Sequence, residues 1–424
     1  RQKKSSHESS NIQWIECDLF SLLDTEKALQ DCDLAFYLVH SMLPSAHLVQ
    51  GNFADYDLIL ADNFARACQK NNIKKIIYLS GIIPEKLQLS EHLKSRLEVE
   101  QTLSATQIPT ITLRAGIILG SMGSSFSIMY NLVDRLPVMI CPSWTKTLSN
   151  PVAIDDMVYA LETCIDLSCH SPVHFDIGGS TTLSYKDMMQ ELASILKKRR
   201  LFFSIPFFSP GFGKLWVSLI TGAPKNLVYP LVSSLKTNMI VSHSKQSPFS
   251  NHHWKNYSQA ILLSLKGRMS SSKPNAFSYT GSLQDNEVRS IQRFENTHHL
   301  SAKRVASLYF NWLPSFFTPF IQVHNENDQC FFHILGIKNP ILHLEFSQSR
   351  SSEDRLLYYV KGGLLAKSKG RGRLEFRSVM NNEYIIIALH DFIPRLPWFI
   401  YKYTQAIVHL ITMSFFKRYL KSIK

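Results

Sequence analysis

The chain has 424 residues, of which 45% are hydrophobic and 19% charged, and this composition excludes a disordered protein. The length exceeds a single ordinary core, so we expect two or three domains. The formal net charge of +13 is spread along the chain, which favours a solvated basic surface and no nucleic-acid partner.

The seven cysteines form no CxxC pair and no Cys/His cluster with zinc spacing. We therefore expect reduced structural thiols, a cytoplasmic protein and no metal site. The chain starts at Arg1 in a polar run, RQKKSSHESSN, which is typical of the inside of a longer protein, and no stretch near the start resembles a signal peptide.

Strands and helices alternate along the first half of the chain. Strands are predicted at 12–19 (IQWIECDL), 33–41, 74–82 and 109–119, and helices at 24–32, 54–72, 90–103 and 125–136. The strands are nearly continuous apolar runs, as in strands that are buried on both faces. The pattern predicts a doubly wound parallel sheet with an α/β architecture.

Polar residues at three predicted helix starts are interpreted as local structure. Ser90 is the expected N-cap of the helix at 90–103, and Ser184 with Asp187 forms an expected capping box. Asp155 and Asp156 precede the apolar run MVYALETCI, where an aspartate is expected to cap a helix.

Seven segments carry a family resemblance in their order along residues 11 to 240: ECDL, AFYLVHS, IIYLSG, SEHLKSRLEVE, TLRAGIILG, NPVAIDDM and FDIGGSTTLSYKDMM. The chain resembles extended or atypical short-chain dehydrogenase/reductases, in the branch of NmrA-like and NAD-dependent epimerase/dehydratase-like proteins. The resemblance implies a Rossmann-like fold that binds NAD or NADP.

The resemblance also assigns roles to individual residues. Ser80 would take the catalytic serine/threonine place. The implied cofactor contacts are Asp18 and Leu19 at the adenine, Leu38, Val39 and His40 at the ribose and pyrophosphate, and Ala115, Gly116, Ile117 and Ile118 at the nicotinamide.

The chain departs from the family pattern at the catalytic helix. The family carries a tyrosine and, four residues on, a lysine, where this chain has His92 and Arg96. His92 can transfer protons near neutral pH, and Arg96 can hold a ribose or phosphate. The alternative is that these are ordinary exposed helix residues and that the chain binds NAD(P) without catalysis.

A second departure is that no Gly-rich GxGxxG turn opens a helix near the start. Aligned by its strands, the sequence begins after the second family strand, so the first βαβ unit is expected to be missing. Arg1 would then be the basic residue that meets a 2′-phosphate, which slightly favours NADP over NAD.

The stretch 201–235 is apolar, aromatic and interrupted by Pro and Gly, which argues against a membrane span. In the resembled family it forms the lobe that selects the substrate. Its character predicts a hydrophobic or lipid-like substrate or a peripheral membrane contact, with packing against the sheet as the alternative.

The second half reads as a different domain. Residues 288–424 run strand, helix, six strands and a long helix, an order that resembles the START/polyketide-cyclase helix-grip fold, an α+β architecture. Within it, Arg373, Glu375 and Arg377 alternate with apolar residues, as on a half-solvated strand. The last helix is apolar almost all round, which predicts a buried helix. The expected domains are 1–242, a helix and linker at 243–287, and 288–424.

Three functions are open at this stage. The first is an NAD(P)-dependent oxidoreductase or epimerase-like enzyme fused to a hydrophobic-ligand domain. The second is a regulatory or assembly protein that binds NAD(P) without chemistry. The third is a protein that binds lipids or other hydrophobic ligands and keeps the Rossmann part as a scaffold. Turnover of NADPH with apolar carbonyl compounds would separate the first from the second.

Overall fold

The computed structural model describes residues 11–41, 48–84, 89–205, 218, 220–222, 224–241, 248–249, 251–270, 287–367 and 371–423. The chain divides into two compact units. The N-terminal unit comprises Arg1–Leu43 and Asn63–Thr280, and the C-terminal unit comprises Pro44–Asp62 and Gly281–Lys424. The sequence did not indicate that the segment 44–62 belongs with the C-terminal strands.

The described part of the N-terminal unit alternates helices and strands. Its helices are α1 (Leu22–Ala28), α2 (Phe53–Lys70, which begins in the C-terminal unit), α3 (Glu91–Ser104), α4 (Ser124–Arg135), α5 (Ile154–Asp166), α6 (Tyr185–Ile195), α7 (Lys225–Ser234) and α8 (Tyr257–Ser270). Its strands are β1 (Leu34–Tyr37), β3 (Lys75–Gly81), β4 (Thr110–Ala115), β5 (Ile118–Leu119), β6 (Val138–Pro142), β7 (Leu148–Ser149), β8 (Val152–Ala153), β9 (Val173–Ile177), β10 (Leu183–Ser184) and β11 (Leu201–Ile205).

Four of these strands form the main sheet, in the order β1-β3-β4-β9, and every pairing is parallel. Alternate residues of β3 face opposite layers. Ile77 packs in the core cluster that contains Met157 of α5, while the Tyr78 hydroxyl donates to the Arg96 carbonyl of α3 at 3.3 Å. Helices therefore cover both faces, and the predicted doubly wound parallel fold is confirmed.

The predicted strand at 12–19 is wrong. The structure has no strand there, and Ile12, Trp14 and Ile15 are exposed. A strand needs a neighbour for its backbone hydrogen bonds, and none of the described strands pairs with this segment. Apolar side chains alone do not make a strand without such a neighbour.

A smaller lobe packs beside the main sheet within the same unit. It contains the parallel pair β6-β11 and a core built by α4, α6 and α8, where Phe126, Met188 and Ile261 are fully buried. The start of α6 is fixed by the predicted capping box of Ser184 and Asp187, which is confirmed.

The C-terminal unit is built on one eight-stranded sheet. Its strands are β2 (Leu48–Gln50), β12 (Val288–Glu295), β13 (Ile321–Glu326), β14 (Gln329–Ile334), β15 (Leu342–Phe346), β16 (Arg355–Gly362), β17 (Arg373–Val379) and β18 (Tyr384–Phe392), and its helices are α9 (Ala302–Phe316), α10 (Trp398–Tyr403) and α11 (Gln405–Ser422). Strands β12 to β18 pair antiparallel in the order β13-β14-β15-β16-β17-β18-β12, and β2 adds a parallel edge beside β12. This confirms the predicted α+β order of elements.

Helices α9 and α11 cover one face of this sheet through a cluster of aromatic rings. The ring of Tyr309 lies 5.1 Å from that of Phe416 and 5.5 Å from that of Phe376, between centroids. Phe376 and Phe416 have no exposed surface. Rings therefore occupy the space between the two helices and the middle of the sheet.

The prediction that β17 is half-solvated is wrong, because all seven of its residues are buried. On its polar face the Glu375 carboxylate accepts from Arg355 Nε and Arg377 Nε, each at 2.6 Å, and Arg377 Nη1 donates to Asp62 at 2.6 Å. The alternation identified the two faces of the strand correctly, but it did not reveal that the charged face is paired and covered. Buried charges persist in proteins when they are paired in this way.

The prediction that the last helix is buried is also wrong. It is broken at Thr404 into α10 and α11, and apolar residues such as Phe399 and Ile411 are exposed. His409 Nε2 lies 3.0 Å from the Ser290 hydroxyl of β12, and Thr412 is 4% exposed. Among the helices that the structure describes, none is long and apolar enough to cross a membrane.

A buried histidine, His390, lies beside this network and should make the stability of the C-terminal unit depend on pH. Burial lowers the pKa of His390 to about 4, against about 6.5 in an unfolded chain. Its contribution to stability is therefore complete above about pH 6.5 and is lost as the pH falls towards 4. We expect the C-terminal unit to lose about 3 kcal/mol of unfolding free energy over this interval from His390 alone.

This prediction is checked by urea unfolding at several pH values, followed by hydrogen exchange in β17 and β18. His390→Asn should flatten the dependence. His324→Asn, which changes an exposed histidine of β13, should leave it intact. Equal slopes in the native protein and the His390 variant would contradict the assignment. The pKa of His409 is also lowered to about 4 by burial, so part of the slope is expected to remain.

Candidate functional site

The carboxyl ends of the four parallel strands meet at one edge of the main sheet. Leu38, Val39 and His40 follow β1, Ser80 and Gly81 end β3, and Ala115 ends β4. In open parallel sheets this edge is where ligands bind, because the loops that follow the strands converge there. The residues implied by the resemblance thus share one edge of the sheet.

A cavity of about 150 Å³ opens at this edge. Its floor is formed by Gly81, Ala115, Gly116 and Ile117, and His92 contributes from the first turn of α3. The rest of its wall is mainly apolar and comes from the small lobe, including Ile128, Met129, Leu132, Trp144, Tyr185, Met189, Val228 and Val232. The cavity therefore suits an apolar group placed beside one imidazole.

His92 is held by a short chain of hydroxyl groups. Its Nδ1 lies 3.1 Å from Ser234 Oγ, at the end of α7, and Ser234 Oγ lies 2.9 Å from Ser90 Oγ. Ser90 caps α3, as predicted, and accepts from the Leu93 amide at 3.3 Å. The cap that starts the helix therefore also orients its first histidine.

The hydroxyl chain indicates which nitrogen of His92 carries the proton. Ser234 Oγ donates to the Pro230 carbonyl at 3.1 Å, which uses its single proton. It then accepts from Ser90 Oγ and from His92 Nδ1. With Ser234 Oγ as the acceptor, His92 Nδ1 is the donor in this contact.

Arg96 is buried rather than an ordinary exposed helix residue. It is 6% exposed, and its Nη1 donates to the Val39 carbonyl at 3.4 Å. Lys94, two positions earlier, is exposed, and its Nζ lies 3.9 Å from a Glu98 carboxylate oxygen. The guanidinium thus joins α3 to the loop after β1, where a cofactor ribose is expected.

Two further features mark this edge. A Cβ on Gly116 would come within 2.9 Å of Ser149 Oγ, so close packing of the chain requires glycine at this point of the cavity floor. The Ser80 hydroxyl is buried and has no hydrogen-bond partner among the described residues. An unpaired buried hydroxyl is costly unless a bound group satisfies it.

Other residues implied by the resemblance lie apart from the cavity. The Leu19 carbonyl accepts from Asn63 at 2.8 Å, and the Asp18 carboxylate accepts from the Phe20 amide at 3.2 Å. Ile118 is in β5 and pairs with Val152. In the described part of the chain, none of these three lines the cavity, and its lining also lacks five residues near the same edge: Leu38, Val39, His40, Ser80 and Arg96. Arg1, on which the preference for NADP rests, lies outside the described residues.

The aspartate expected to cap α5 has a different role. Ala153 occupies the N-cap position, and no side chain caps this helix. Asp156 is fully buried; it accepts from Lys255 Nζ at 2.6 Å and lies 3.1 Å from His252 Nε2. Burial by itself raises the pKa of this carboxyl, but hydrogen bonds from Lys255 and His252 outweigh it and lower the pKa. Asp156 anchors the segment 252–255, away from the cavity lining.

The sequence did not indicate that Ser234 and the aromatic residues of the cavity wall belong to a site. Trp144 and Tyr185 both line it, with ring centroids 6.4 Å apart, and burial raises the pKa of Tyr185. Tyr185 follows the expected cap Ser184, and the sequence indicated no role for it in a site. Ser234 lies 142 positions from His92, so no local pattern could have joined them.

Comparison with known proteins gives one curated relative and a set of distant structures. No family model matches the chain. The auxiliary protein GraX of Staphylococcus aureus (strain NCTC 8325 / PS 47) is 38% identical over 68 residues, which are 16% of this chain and 22% of GraX. The match thus spans about a fifth of the length of that relative.

Three solved structures illustrate the distant likenesses. The NADPH-dependent quinone oxidoreductase QOR2 of Escherichia coli, solved with NADPH, is 16% identical, with 58% of this chain and 82% of that chain covered and a TM-score of 0.46. A UDP-N-acetylglucosamine 4-epimerase of Bacillus cereus is 14% identical, with coverages of 60% and 84% and a TM-score of 0.43. The enzyme WbmH of Bordetella bronchiseptica, solved with NAD+, is 12% identical, with coverages of 62% and 85% and a TM-score of 0.45.

These identities are low, and the fold assignment rests on this chain's own strand order and register. The parallel order β1-β3-β4-β9, with helices on both faces, makes the N-terminal unit a Rossmann-like α/β unit.

Proposed function

We propose that the N-terminal unit is an NAD(P)-binding oxidoreductase or epimerase-like unit of the short-chain dehydrogenase/reductase type that acts on an apolar substrate. The observation that carries the proposal is the cavity at the carboxyl edge of the parallel sheet, with His92 in its wall. A substrate in this cavity would lie between the strand ends, where the resemblance places the nicotinamide, and the apolar small lobe.

The described residues fit the nicotinamide and ribose end of such a cofactor. Ser80 offers an unpaired buried hydroxyl, Arg96 a buried guanidinium, and Gly116 backbone at the cavity floor. Bound there, a nicotinamide would supply hydride transfer. No Gly-rich turn leads from a strand into a helix in the described part, so these residues account for that end of the cofactor only. Structures with NADPH and with NAD+ both occur among the distant likenesses, so either form of the cofactor is compatible.

His92 is the proposed acid/base group. Ser234 Oγ contacts its Nδ1, and Ser90 Oγ in turn contacts Ser234 Oγ, so the imidazole is oriented by Nδ1 and would accept and return a proton at Nε2 during turnover. In this role His92 takes the place of the family tyrosine. Arg96 takes the place of the lysine as the group that holds the ribose, but it stays charged at every accessible pH.

A second candidate function is NAD(P) binding without catalysis, as in a regulatory or assembly protein. The replacement of the tyrosine and lysine pair by His92 and Arg96 favours it. A third candidate, the binding of a lipid or other hydrophobic ligand, draws on the same apolar wall. The three differ in whether the chain consumes NADPH and in whether a nucleotide binds at all.

The test combines nucleotide titration with a change that fills the cavity. Calorimetry should show binding of NADPH or NADH, and the protein should oxidise NADPH in the presence of an apolar carbonyl compound. Val232→Phe adds a ring at the apolar wall, so it should lower turnover at least about tenfold while nucleotide affinity stays within a factor of about three.

Val158→Phe is the matched control, because it makes the same change at an exposed position of α5 that does not line the cavity. If calorimetry detects no heat of binding with either NADPH or NADH, the cofactor assignment is contradicted. Nucleotide binding without turnover would support the second candidate. Full turnover in the Val232 variant would show that the substrate binds elsewhere.

A further inference from the structure

The C-terminal helices present an apolar surface to the outside of the C-terminal unit. Residues at a spacing of four, Phe399, Tyr403, Ile407, Ile411 and Phe415, are between 42% and 74% exposed. Residues four apart lie on one side of a helix, so Phe399 and Tyr403 form a row on α10, and Ile407, Ile411 and Phe415 form a row on α11, which follows after the break at Thr404. We call these five residues the outer stripe.

Neighbouring residues widen the outer stripe into a patch. Val408 and Leu410 flank it on α11, at 51% and 39% exposure. The ring of Phe316, at the end of α9, lies 5.0 Å from that of Phe415. Single exposed apolar residues are ordinary on protein surfaces, whereas a contiguous apolar patch marks an interaction site.

Helix α11 exposes apolar side chains although it also has polar residues that could face water. His409 and Thr412, which could face water, are directed towards the sheet instead, and the Ala406 carbonyl accepts from Gln50 at 3.0 Å. These contacts fix the rotation of α11 about its axis. The apolar exposure of the outer stripe is therefore built into the packing of the unit.

The segment that carries the stripe contains basic residues only, although one of them, Lys421, pairs through its Nζ with Glu295 of β12 at 2.9 Å. From residue 392 to 424 the sequence has no Asp or Glu and has six basic residues: Arg395, Lys402, Lys417, Arg418, Lys421 and Lys424. Two of the cations lie over rings of the stripe itself, Lys402 Nζ at 5.4 Å from the Tyr403 centroid and Arg418 Cζ at 5.5 Å from that of Phe415. The surface thus combines exposed aromatic and aliphatic side chains with bordering cations.

We propose that this surface docks on an anionic lipid bilayer, with α10 and α11 lying in the plane of the headgroups. Aromatic and aliphatic side chains enter the boundary between headgroups and acyl chains, and the cations pair with lipid phosphates. The helices lie on the membrane rather than spanning it, because neither is long and apolar enough to cross. Pairing with a second copy through the same stripe is disfavoured, since it would bring cations together with no carboxylate of either segment 392–424 between them.

The experiment measures co-sedimentation of the 424-residue chain with vesicles. Vesicles of phosphatidylglycerol and phosphatidylcholine in equal parts should bind the protein at least about tenfold more tightly than vesicles of phosphatidylcholine alone. Binding to the anionic vesicles should weaken in about 1 M salt, where the Debye length is about 3 Å.

Two pairs of variants separate the apolar and charged contributions. Ile411→Glu should weaken binding to anionic vesicles at least about tenfold, because it places a carboxylate in the middle of the stripe. Ile337→Glu makes the same change at a position of similar exposure, 43% against 48%, away from α10 and α11, and should bind like the native protein. Lys417→Glu with Arg418→Glu should abolish the preference for anionic lipid. Lys303→Glu with Arg304→Glu, at exposed positions of α9, should retain it.

The proposal is overturned if the native protein does not sediment with anionic vesicles, or if Ile411→Glu and Ile337→Glu bind equally well. Light scattering supplies a further decisive result. A native dimer that Ile411→Glu converts to a monomer, without vesicle binding by either form, would show that a second copy covers the stripe instead of lipid.

Discussion

Replacing Glu375 by glutamine is expected to reduce the unfolding free energy of the C-terminal unit by about 3–5 kcal/mol. Glu375 is 1% exposed, and its carboxylate receives hydrogen bonds from Arg355 and Arg377 on neighbouring positions of the sheet. Glutamine keeps the shape of the side chain but removes the negative charge. The two buried guanidinium groups would then lose the carboxylate that they share, although Arg377 keeps its bond to Asp62, and removing one member of a buried group of charges is strongly destabilising.

The matched control is Glu345→Gln. Glu345 pairs with Lys361 across β15 and β16 of the same sheet, but the two side chains are 39% and 44% exposed. Exposed pairs contribute about 0–1 kcal/mol, so this variant should unfold almost like the native protein. Hydrogen exchange of β17 in increasing urea measures both. A loss below about 1 kcal/mol for Glu375→Gln would mean that water or another group compensates the two arginines.

The effect of low pH on the same network follows from the direction in which the pKa of Glu375 is shifted. Burial alone would raise it, but Arg355 and Arg377 outweigh burial and hold the pKa well below its ordinary value. The stabilisation by this carboxylate is thus present above its unfolded pKa of about 4.3 and is lost only at lower pH. The loss of stability between pH 6.5 and 4 is therefore assigned to the histidines, and any further loss below pH 4 to the carboxylates.

The sheet of the N-terminal unit could be predicted from sequence because short apolar-rich runs alternate with helical segments. The run containing Ile77 is almost continuously apolar. Around Ile111 the residues Thr110, Thr112 and Arg114 alternate with apolar ones, yet all six residues of β4 are buried, and the boundaries of both strands lie within a few residues of those expected. The same reasoning failed at Ile12 and Ile15, where the residues are equally apolar. Composition describes what a strand can bury, whereas strand formation also requires a partner for the backbone.

The faces of elements were easier to predict than what covers them. The alternation along β17 placed Glu375 and Arg377 together on one side, whereas the last helix was expected to be apolar almost all round. From the sequence, we expected the polar face of β17 to face solvent and the whole last helix to be buried. Both assignments were wrong because ion pairing in the first case and a hydrogen bond to Ser290 in the second allow polar faces to be buried.

The candidate site was predictable only as far as it is local. The loops after β1, β3 and β4 and the first turns of α3 follow from strand order, which brings Gly81, His92 and Gly116 to one edge. The contacts that orient His92 come from α7, in a stretch where the sequence indicated only an apolar lobe. No spacing rule connects Ser90 with Ser234, because their contact depends on how the lobe packs.

The largest loss of turnover is expected from a change at His92. His92→Ala should lower any turnover with NADPH by about 10²-fold or more, the scale of a lost general acid/base, with little change in nucleotide affinity. Arg96→Ala should mainly weaken nucleotide binding, by about 1–3 kcal/mol, because a charged hydrogen bond is lost. His170→Ala is the control for the first change, since His170 is exposed in the same unit and does not line the cavity.

A third variant distinguishes chemistry from packing at this position. Ser234→Ala removes the acceptor of the His92 Nδ1 proton but leaves the imidazole in place, so turnover should fall by about tenfold, the equivalent of one hydrogen bond of about 1.4 kcal/mol. The dependence of turnover on pH is the decisive measurement, because it would not change if His92 had only a structural role. Turnover in the native protein should rise or fall with the titration of one imidazole, and that limb should vanish in His92→Ala, while Ser234→Ala should keep it with a shifted midpoint. If turnover and its pH profile are the same in all three proteins, His92 does not transfer the proton, and NAD(P) binding without catalysis becomes the better account of the cavity.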